Sequence, residues 1–346
     1  MAGERLVILL GAGSSYDCVD TERNPVDAGW RPPLVNQLFD ARATFDEILN
    51  RYPGARARAD QIRTAVQKQK PFEELLRDMV AGPTLALRRG MWEVPLYLQE
   101  LMGEVSTRYV LAGSTKFETM LTMVMASSFR QILILTVNYD LFVERAAIAL
   151  MRHAFDSVDK YIWTCDEQRW ALIKLHGSVN WGRRFKPSRS ENYWGSIVAT
   201  LTELVLEDEV KVLAGHNSDH RFIQPVHYYP ALALPVAGKT DFVCPPSHVD
   251  YARGFLAELG GPDRLVIIGF SGLDNHVLQS LLANVRCVPM LRIVNGDTKA
   301  GGATLDRIAR AARGVGSAHS PVYDGGFRKF IESGDFESFL REDGPP

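Results

Sequence analysis

Two polar clusters close apolar runs in this chain. Asn138, Tyr139 and Asp140 follow the run Ile132–Val137, and His176, Gly177 and Ser178 follow Ala171–Leu175. An amide, a carboxylate and an imidazole are groups that orient a water or hydroxyl and take its proton. Each also has a local use: Asn138 and Asp140 can cap the helical pattern LFVERAAIAL that follows, and His176 can sit satisfied at a turn. Their shared placement, each just past a strand-like run, tips the balance toward chemistry.

Three further runs end in the same way. Leu6–Leu10 stops at Gly11-Ala12-Gly13-Ser14-Ser15, Arg264–Gly269 at Phe270-Ser271-Gly272-Leu273-Asp274, and Leu291–Val294 at Asn295-Gly296-Asp297. Apolar runs without alternation fit strands covered on both faces, as in a parallel sheet. Between them, PFEELLRDMVAG, EVPLYLQELMGEVSTRYVLAG, KFETMLTMVMASSF and DNHVLQSLLANV place apolar residues three and four apart, the spacing of amphipathic helices. The expected fold is therefore α/β: a Rossmann-like open parallel sheet with helices on both faces. It forms one domain over 1–346, with an α/β core at 1–37 and 129–346 and a helical module inserted at 38–128. Residues 182–250 read as an irregular insertion with one helix at SIVATLTELVLE, and the tail FRKFIESGDFESFLRED as a short surface helix.

Ligands of open α/β sheets bind beyond the carboxyl ends of the strands, where all five runs end in Gly, Asn, His, Ser or Asp. Gly11 to Ser15 offer backbone N–H groups suited to a pyrophosphate, or they form a tight turn without a ligand. Tyr16 stands where a dinucleotide fingerprint has its third glycine, and no Gly-Lys-Ser/Thr follows to make a P-loop.

The bulk properties exclude other classes. Lys and Arg number 39 against 41 Asp and Glu, a net charge of −2, so direct nucleic-acid binding is not expected. RRFKPSR, Arg183 to Arg189, is the densest basic cluster and reads as a solvated loop. The four cysteines form no Cys-x-x-Cys pair, which suits a reducing compartment rather than a zinc ribbon or a disulfide framework. The short apolar run at the N-terminus does not read as a signal peptide, and no stretch approaches the ~20 apolar residues of a membrane span. A cytoplasmic protein without membrane association is expected. His216 and His220 have a metal-like spacing, but the Gly, Asn and Ser around them are poor helix formers, so no metal is expected. Trp181 either walls the site or packs.

GAGSS, TVNYD, KLHGS, IGFS and VNGD, in this order across nearly the whole chain, resemble the sirtuin-like family of NAD-consuming proteins. The Thr136-x-Asn138-Tyr139-Asp140 and Leu175-His176-Gly177-Ser178 pair is the most specific part. The sequence looks most like the bacterial branch that supplies NAD-hydrolysing effectors of anti-phage defence. It departs from the protein deacetylases of that family: the two Cys-x-x-Cys pairs are absent, and Val137 replaces their glutamine. No Phe-Gly-Glu segment occurs either, and Gly29–Leu34 (GWRPPL) occupies the region of their Asp-Phe-Arg.

The resemblance implies NAD+ as substrate. Asn138 and His176 would be catalytic, His176 as the base and Asn138 orienting water and ribose. Asp140 would fix the loop carrying Asn138 and, with Thr136, join the NAD-holding set. Gly11, Ala12, Gly13, Ser14 and Ser15 would face the phosphates, with Gly269 and Ser271 nearby, and Asn295 and Asp297 would meet the adenosine ribose. Asp274 recurs in look-alikes of the bacterial branch and equally suits an N-cap for NHVLQSLL. An always-active enzyme would drain its own cell of NAD, so gating by a homo-oligomer, a small nucleotide or a second protein of a defence system is expected, with the helical insertion as its surface. The alternatives are an NAD-dependent protein deacylase, a non-catalytic NAD- or ADP-ribose-sensing module, and an ordinary oxidoreductase.

Overall fold

The computed structural model describes residues 4–20, 29–68, 72–80, 84–109, 115–185, 203–213, 227–235, 242–258, 262–312 and 322–341. Its centre is a seven-stranded sheet in the order β10-β9-β8-β1-β2-β4-β3. The strands are β1 (Arg5–Leu10), β2 (Gln131–Thr136), β3 (Ile162–Cys165), β4 (Gln168–Lys174), β8 (Arg264–Ile268), β9 (Met290–Val294) and β10 (Val322–Tyr323). All neighbours run parallel except β3, which folds back antiparallel on β4 at the edge. β1 is buried along its whole length, as a strand with helices on both faces must be.

One helical layer holds Lys116–Met125, Phe142–Met151 and Gly326–Glu332, which pack on one another or on β9, and Pro246–Ala257 covers β2 and β4. The fold is Rossmann-like α/β. From β1 the chain moves outward through β2 and β4, then returns to the other side of β1 and moves outward through β8 and β9. That reversal opens a crevice at the carboxyl ends of β1 and β8.

Beyond Ala12–Asp17, the segment between β1 and β2 carries the helices Ala43–Leu49, Pro53–Gln67, Phe72–Val80, Leu85–Trp92, Val94–Arg108 and Lys116–Met125 and, among its described residues, no strand. Val94–Arg108 packs against a second sheet, antiparallel in the order β6-β5-β7, of β5 (Gly177–Phe185), β6 (Leu206–Val212) and β7 (His227–Leu232). This corrects the irregular reading of residues 182–250, whose described parts are mostly strands and the start of the helix Pro246–Ala257. Of the expected helix SIVATLTELVLE, Leu206 and Glu207 begin β6, while residues 196–202 lie outside the described set, as do His216 and His220. The tail also differs from expectation. It forms two helices, Gly326–Glu332 and Asp335–Arg341, broken at Gly334, and buries Phe327, Phe330, Phe336 and Phe339 in the core. Trp181 is fully buried and donates from Nε1 to the Tyr161 hydroxyl at 3.1 Å, so it packs beneath the site.

Among the described residues, no helix is long and apolar enough to cross a membrane.

Candidate active site

A cavity of about 880 Å³ lies over the crevice. The β1 turn contributes Gly11, Ala12, Gly13 and Ser15 to its wall; the β2 and β4 ends contribute Asn138, Asp140 and His176. Gly269, Ser271 and Asp274 enter from the β8 end, Asn295 and Asp297 from the β9 end. Two residues expected in the site, Ser14 and Thr136, are buried behind this wall and act on Asn138. Thr136 Oγ1 accepts the Asn138 backbone N–H at 3.0 Å.

The β1 turn is seated on β8. Gly11 N donates to Ile268 O and Gly13 N to Gly269 O, each at 2.9 Å. Gly269 has φ +63°, and a Cβ there would lie 2.1 Å from Ser14 N. Only glycine permits that backbone together with that approach. The short helix Ala12–Asp17 starts here without a side-chain cap.

The Asn138 amide is locked into the same turn. Its Nδ2 lies within donor range of Gly11 O (3.0 Å), Ser15 Oγ (2.9 Å) and Ser14 Oγ (3.2 Å). Ser15 Oγ donates in turn to Asp140 Oδ2 at 2.6 Å. With the nitrogen engaged, Asn138 keeps its carbonyl oxygen for a ligand. Neither Asn138 nor Asp140 is the N-cap of Phe142–Met151; that residue is Leu141. Asp140 assists through Oδ1, which accepts Phe142 N at 3.3 Å.

Beneath the loop, Lys174 Nζ donates to the Asp140 carbonyl and, at 2.7 Å, to Glu144 Oε1. This ion pair is almost entirely buried. Burial pushes the Glu144 carboxyl above its ordinary value, while the Lys174 charge and hydrogen bond oppose the shift. The Tyr139 phenol, which lines the cavity, is pushed well up by burial and then by the Asp274 charge.

His176 meets a partner that sequence reasoning did not assign to it. Its Nε2 lies 2.8 Å from Asp274 Oδ2, with the two side chains 8% and 11% exposed. Asp274 is also the N-cap of Asn275–Ser280, its Oδ1 accepting His276 N at 3.0 Å and Val277 N at 3.1 Å. One carboxylate oxygen therefore caps the helix while the other faces the imidazole. A carboxylate beside an imidazole fixes its orientation and stabilises the protonated ring once a proton is taken.

At the β9 end Asn295 Nδ2 donates to Thr304 Oγ1 at 3.3 Å, and Asp297 caps Thr298–Ala311 by accepting Ala300 N at 2.8 Å. That helix brings Lys299 and Arg307 to the cavity, which sequence reasoning also missed. The 299, 303, 307 spacing after VNGD is the signal that could have found them, since residues four apart share a helix face. Opposite, Pro33, Leu34, Leu38 and Met102 make the wall apolar. Among the described residues, no group of His, Cys, Asp and Glu is arranged to hold a metal ion.

Fold and cavity define a Rossmann-like α/β protein with a strand-end cavity, polar at the strand ends and apolar over most of its wall. No protein-family model matches the chain, and no curated protein does.

Proposed function

We propose that this chain is a sirtuin-like NAD+ glycohydrolase that releases nicotinamide and ADP-ribose. The observation that carries the reading is one cavity that joins the Asn138 amide and the His176–Asp274 pair to the glycine turn of β1. Its volume of about 880 Å³ falls within the ~300–1,000 Å³ usual for ligand sites.

The bond to be broken joins the ribose C1′ to a pyridinium nitrogen. That leaving group departs neutral without protonation, so the acid that other glycosidases need is dispensable. Water adds its oxygen to C1′, the bonding electrons go to the nicotinamide nitrogen, and the water proton passes to His176. Asn138, immobilised by its bonds to Gly11 and Ser15, would orient the water and ribose with its carbonyl oxygen. Asp274 would balance the charge gained by His176. The β1 turn would face the pyrophosphate at Ala12, since Gly11 N and Gly13 N are engaged by the β8 end and Ser14 N by Gly11 O, and Asn295 and Asp297 would meet the adenosine ribose.

The same resemblance supports a gated, cytoplasmic effector of anti-phage defence acting as a homo-oligomer or with a second protein. The test is nicotinamide release from NAD+ by purified protein beside Asn138→Ala and His176→Ala. Release by wild type that both variants lose is expected. Release retained in both variants, or neither binding nor release by wild type, refutes the reading.

A further inference from the structure

The helix Val94–Arg108 is buried from Val94 to Gly103 and again at Val105 and Ser106, yet it carries polar residues. A helix buried all round is ordinarily apolar. Here the exceptions fall on two faces. Gln99, Met102 and Ser106, spaced i, i+3 and i+7, share one face; Glu93 and Glu100, spaced i and i+7, share another.

The first face meets both strand-end loops. Ser106 Oγ accepts the backbone N–H of Leu141 at 3.1 Å, in the loop that carries Asn138 and Asp140. Gln99 Nε2 donates to Val179 O at 2.8 Å, three residues beyond His176, and lies 3.5 Å from Trp181 O. Met102, between them, lines the cavity. The two loops also bond each other, Val179 N donating to Tyr139 O at 3.0 Å. The second face meets the outer helices. Glu93 Oε2 accepts Gly54 N at 2.5 Å and Ala55 N at 3.3 Å, and Glu100 accepts from Arg51 Nη1 and the Tyr52 hydroxyl.

We propose that Ser106 and Gln99 are positioning residues for the reaction, Ser106 setting the Asn138 loop and Gln99 the His176 loop. The inference rests on the roles given above to Asn138 and His176. It makes Val94–Arg108 an element through which strain on the outer helices would reach both reacting groups. Leu141 N and Val179 O are backbone groups that need a partner when buried, so removing the side chain frees the loop rather than the helix. A displacement near 1 Å at a reacting group costs roughly 10²-fold in rate.

The test compares Ser106→Ala and Gln99→Met with Thr107→Ala, a hydroxyl on the same helix that bonds Gly103 O at 2.9 Å and lies 3.5 Å from Arg145 Nη2, but bonds neither loop. Amide hydrogen exchange and the kinetics of nicotinamide release are measured on each. Ser106→Ala is expected to raise exchange across 138–142 and Gln99→Met across 176–182, each about tenfold or more, with the other loop changing less. Both should lower kcat by about 10- to 100-fold with KM little changed, while Thr107→Ala leaves both near wild type. Should either variant fail to fold, Ser106→Cys or Gln99→Leu replaces it. Unchanged exchange in both loops overturns the proposal, as do a uniform rise along the chain and selective loosening at wild-type kcat. If wild-type protein neither binds nor cleaves NAD+ while the selective exchange pattern holds, the functional reading fails and the mechanical link stands.

Discussion

Replacing Gly269 by alanine tests whether the β1 turn is the rigid seat of the site. Two costs add at this position. A left-handed backbone at φ +63° costs an L-residue about 1–2 kcal/mol. The new Cβ would also lie 2.1 Å from Ser14 N, 2.4 Å from Gly13 C and 2.6 Å from Gly13 Cα. All three are backbone atoms, so no side chain can rotate away. Reaching even 3.0 Å from Ser14 N requires 3.0 − 2.1 = 0.9 Å of separation between the β1 turn and the β8 end. That motion shifts Gly11, Ser14 and Ser15 against Asn138, whose amide they hold. Gly269→Ala should lose at least about 2 kcal/mol of stability and about 10²-fold in kcat for nicotinamide release. Gly296→Ala is the control: a Cβ there meets nothing within 4 Å, so stability should change by only a few tenths. Urea unfolding measures stability, calorimetric NAD+ titration affinity and initial rates turnover. A folded Gly269→Ala protein with wild-type stability, affinity and turnover would refute the reasoning, because the turn would then yield without consequence.

Asp274→Asn keeps a good N-cap for Asn275–Ser280 but removes the charge 2.8 Å from His176 Nε2. Stability should stay within about 0.5 kcal/mol while kcat falls by about 10²-fold; equal losses in both would reduce Asp274 to its capping role. His248 supplies a pH dependence. Burial holds its imidazole below the ordinary value, partly offset by its bond to Val158 O at 3.0 Å and by Asp159. The neutral ring is thus favoured in the fold, and its contribution, intact above the unfolded value near 6.5, is lost as pH falls through the lower folded value. Urea midpoints of wild type should drop between pH 7 and pH 5, by at most about 1.4 kcal/mol per pH unit from this group, and His248→Gln should drop less. An identical slope in the variant would place the acid sensitivity elsewhere.

Much of the fold was legible because its central strands are unbroken apolar runs. Leu6–Leu10, Ile132–Thr136 and Leu265–Ile268 are buried on both faces, and burial on both faces leaves no alternation to misread. The second sheet was not legible: GSVNWGRRF, LEDEVKV and HYYPAL mix charges, glycine and proline, so no unbroken apolar run marks them. The tail was misread for a different reason. Phe327, Phe330 and Ile331, then Phe336, Phe339 and Leu340, repeat at helical spacing on either side of Gly334, a signal of two buried faces that its charged residues obscured. In the site, the strand-end residues were found because each directly follows its strand. The His176–Asp274 contact was not, since Asp274 has a sufficient local reason to exist as an N-cap. Gln99 and Ser106 stayed hidden because a polar residue within an apolar helix reads as a solvent position until the second sheet is known to cover it.

The topology constrains the ligand more tightly than any one side chain does. Asn138 and His176 stand on the β2 and β4 side of β1, while Ser271, Asn295 and Asp297, with Lys299 and Arg307 nearby, stand on the β8 and β9 side. Between them the β1 turn presents glycine and serine backbone and no cationic side chain. A ligand that uses both groups must therefore bridge β1 across that backbone and carry a distinct recognition element at each end. A mononucleotide satisfies one side and the turn, leaving the other group unengaged. On the proposed function, a dinucleotide joined by pyrophosphate would satisfy all three, and its glycosidic bond at the β2–β4 end would come to the amide and the imidazole. The reacting end would then be set, on that function, by the direction in which the chain leaves β1, before any catalytic residue is chosen.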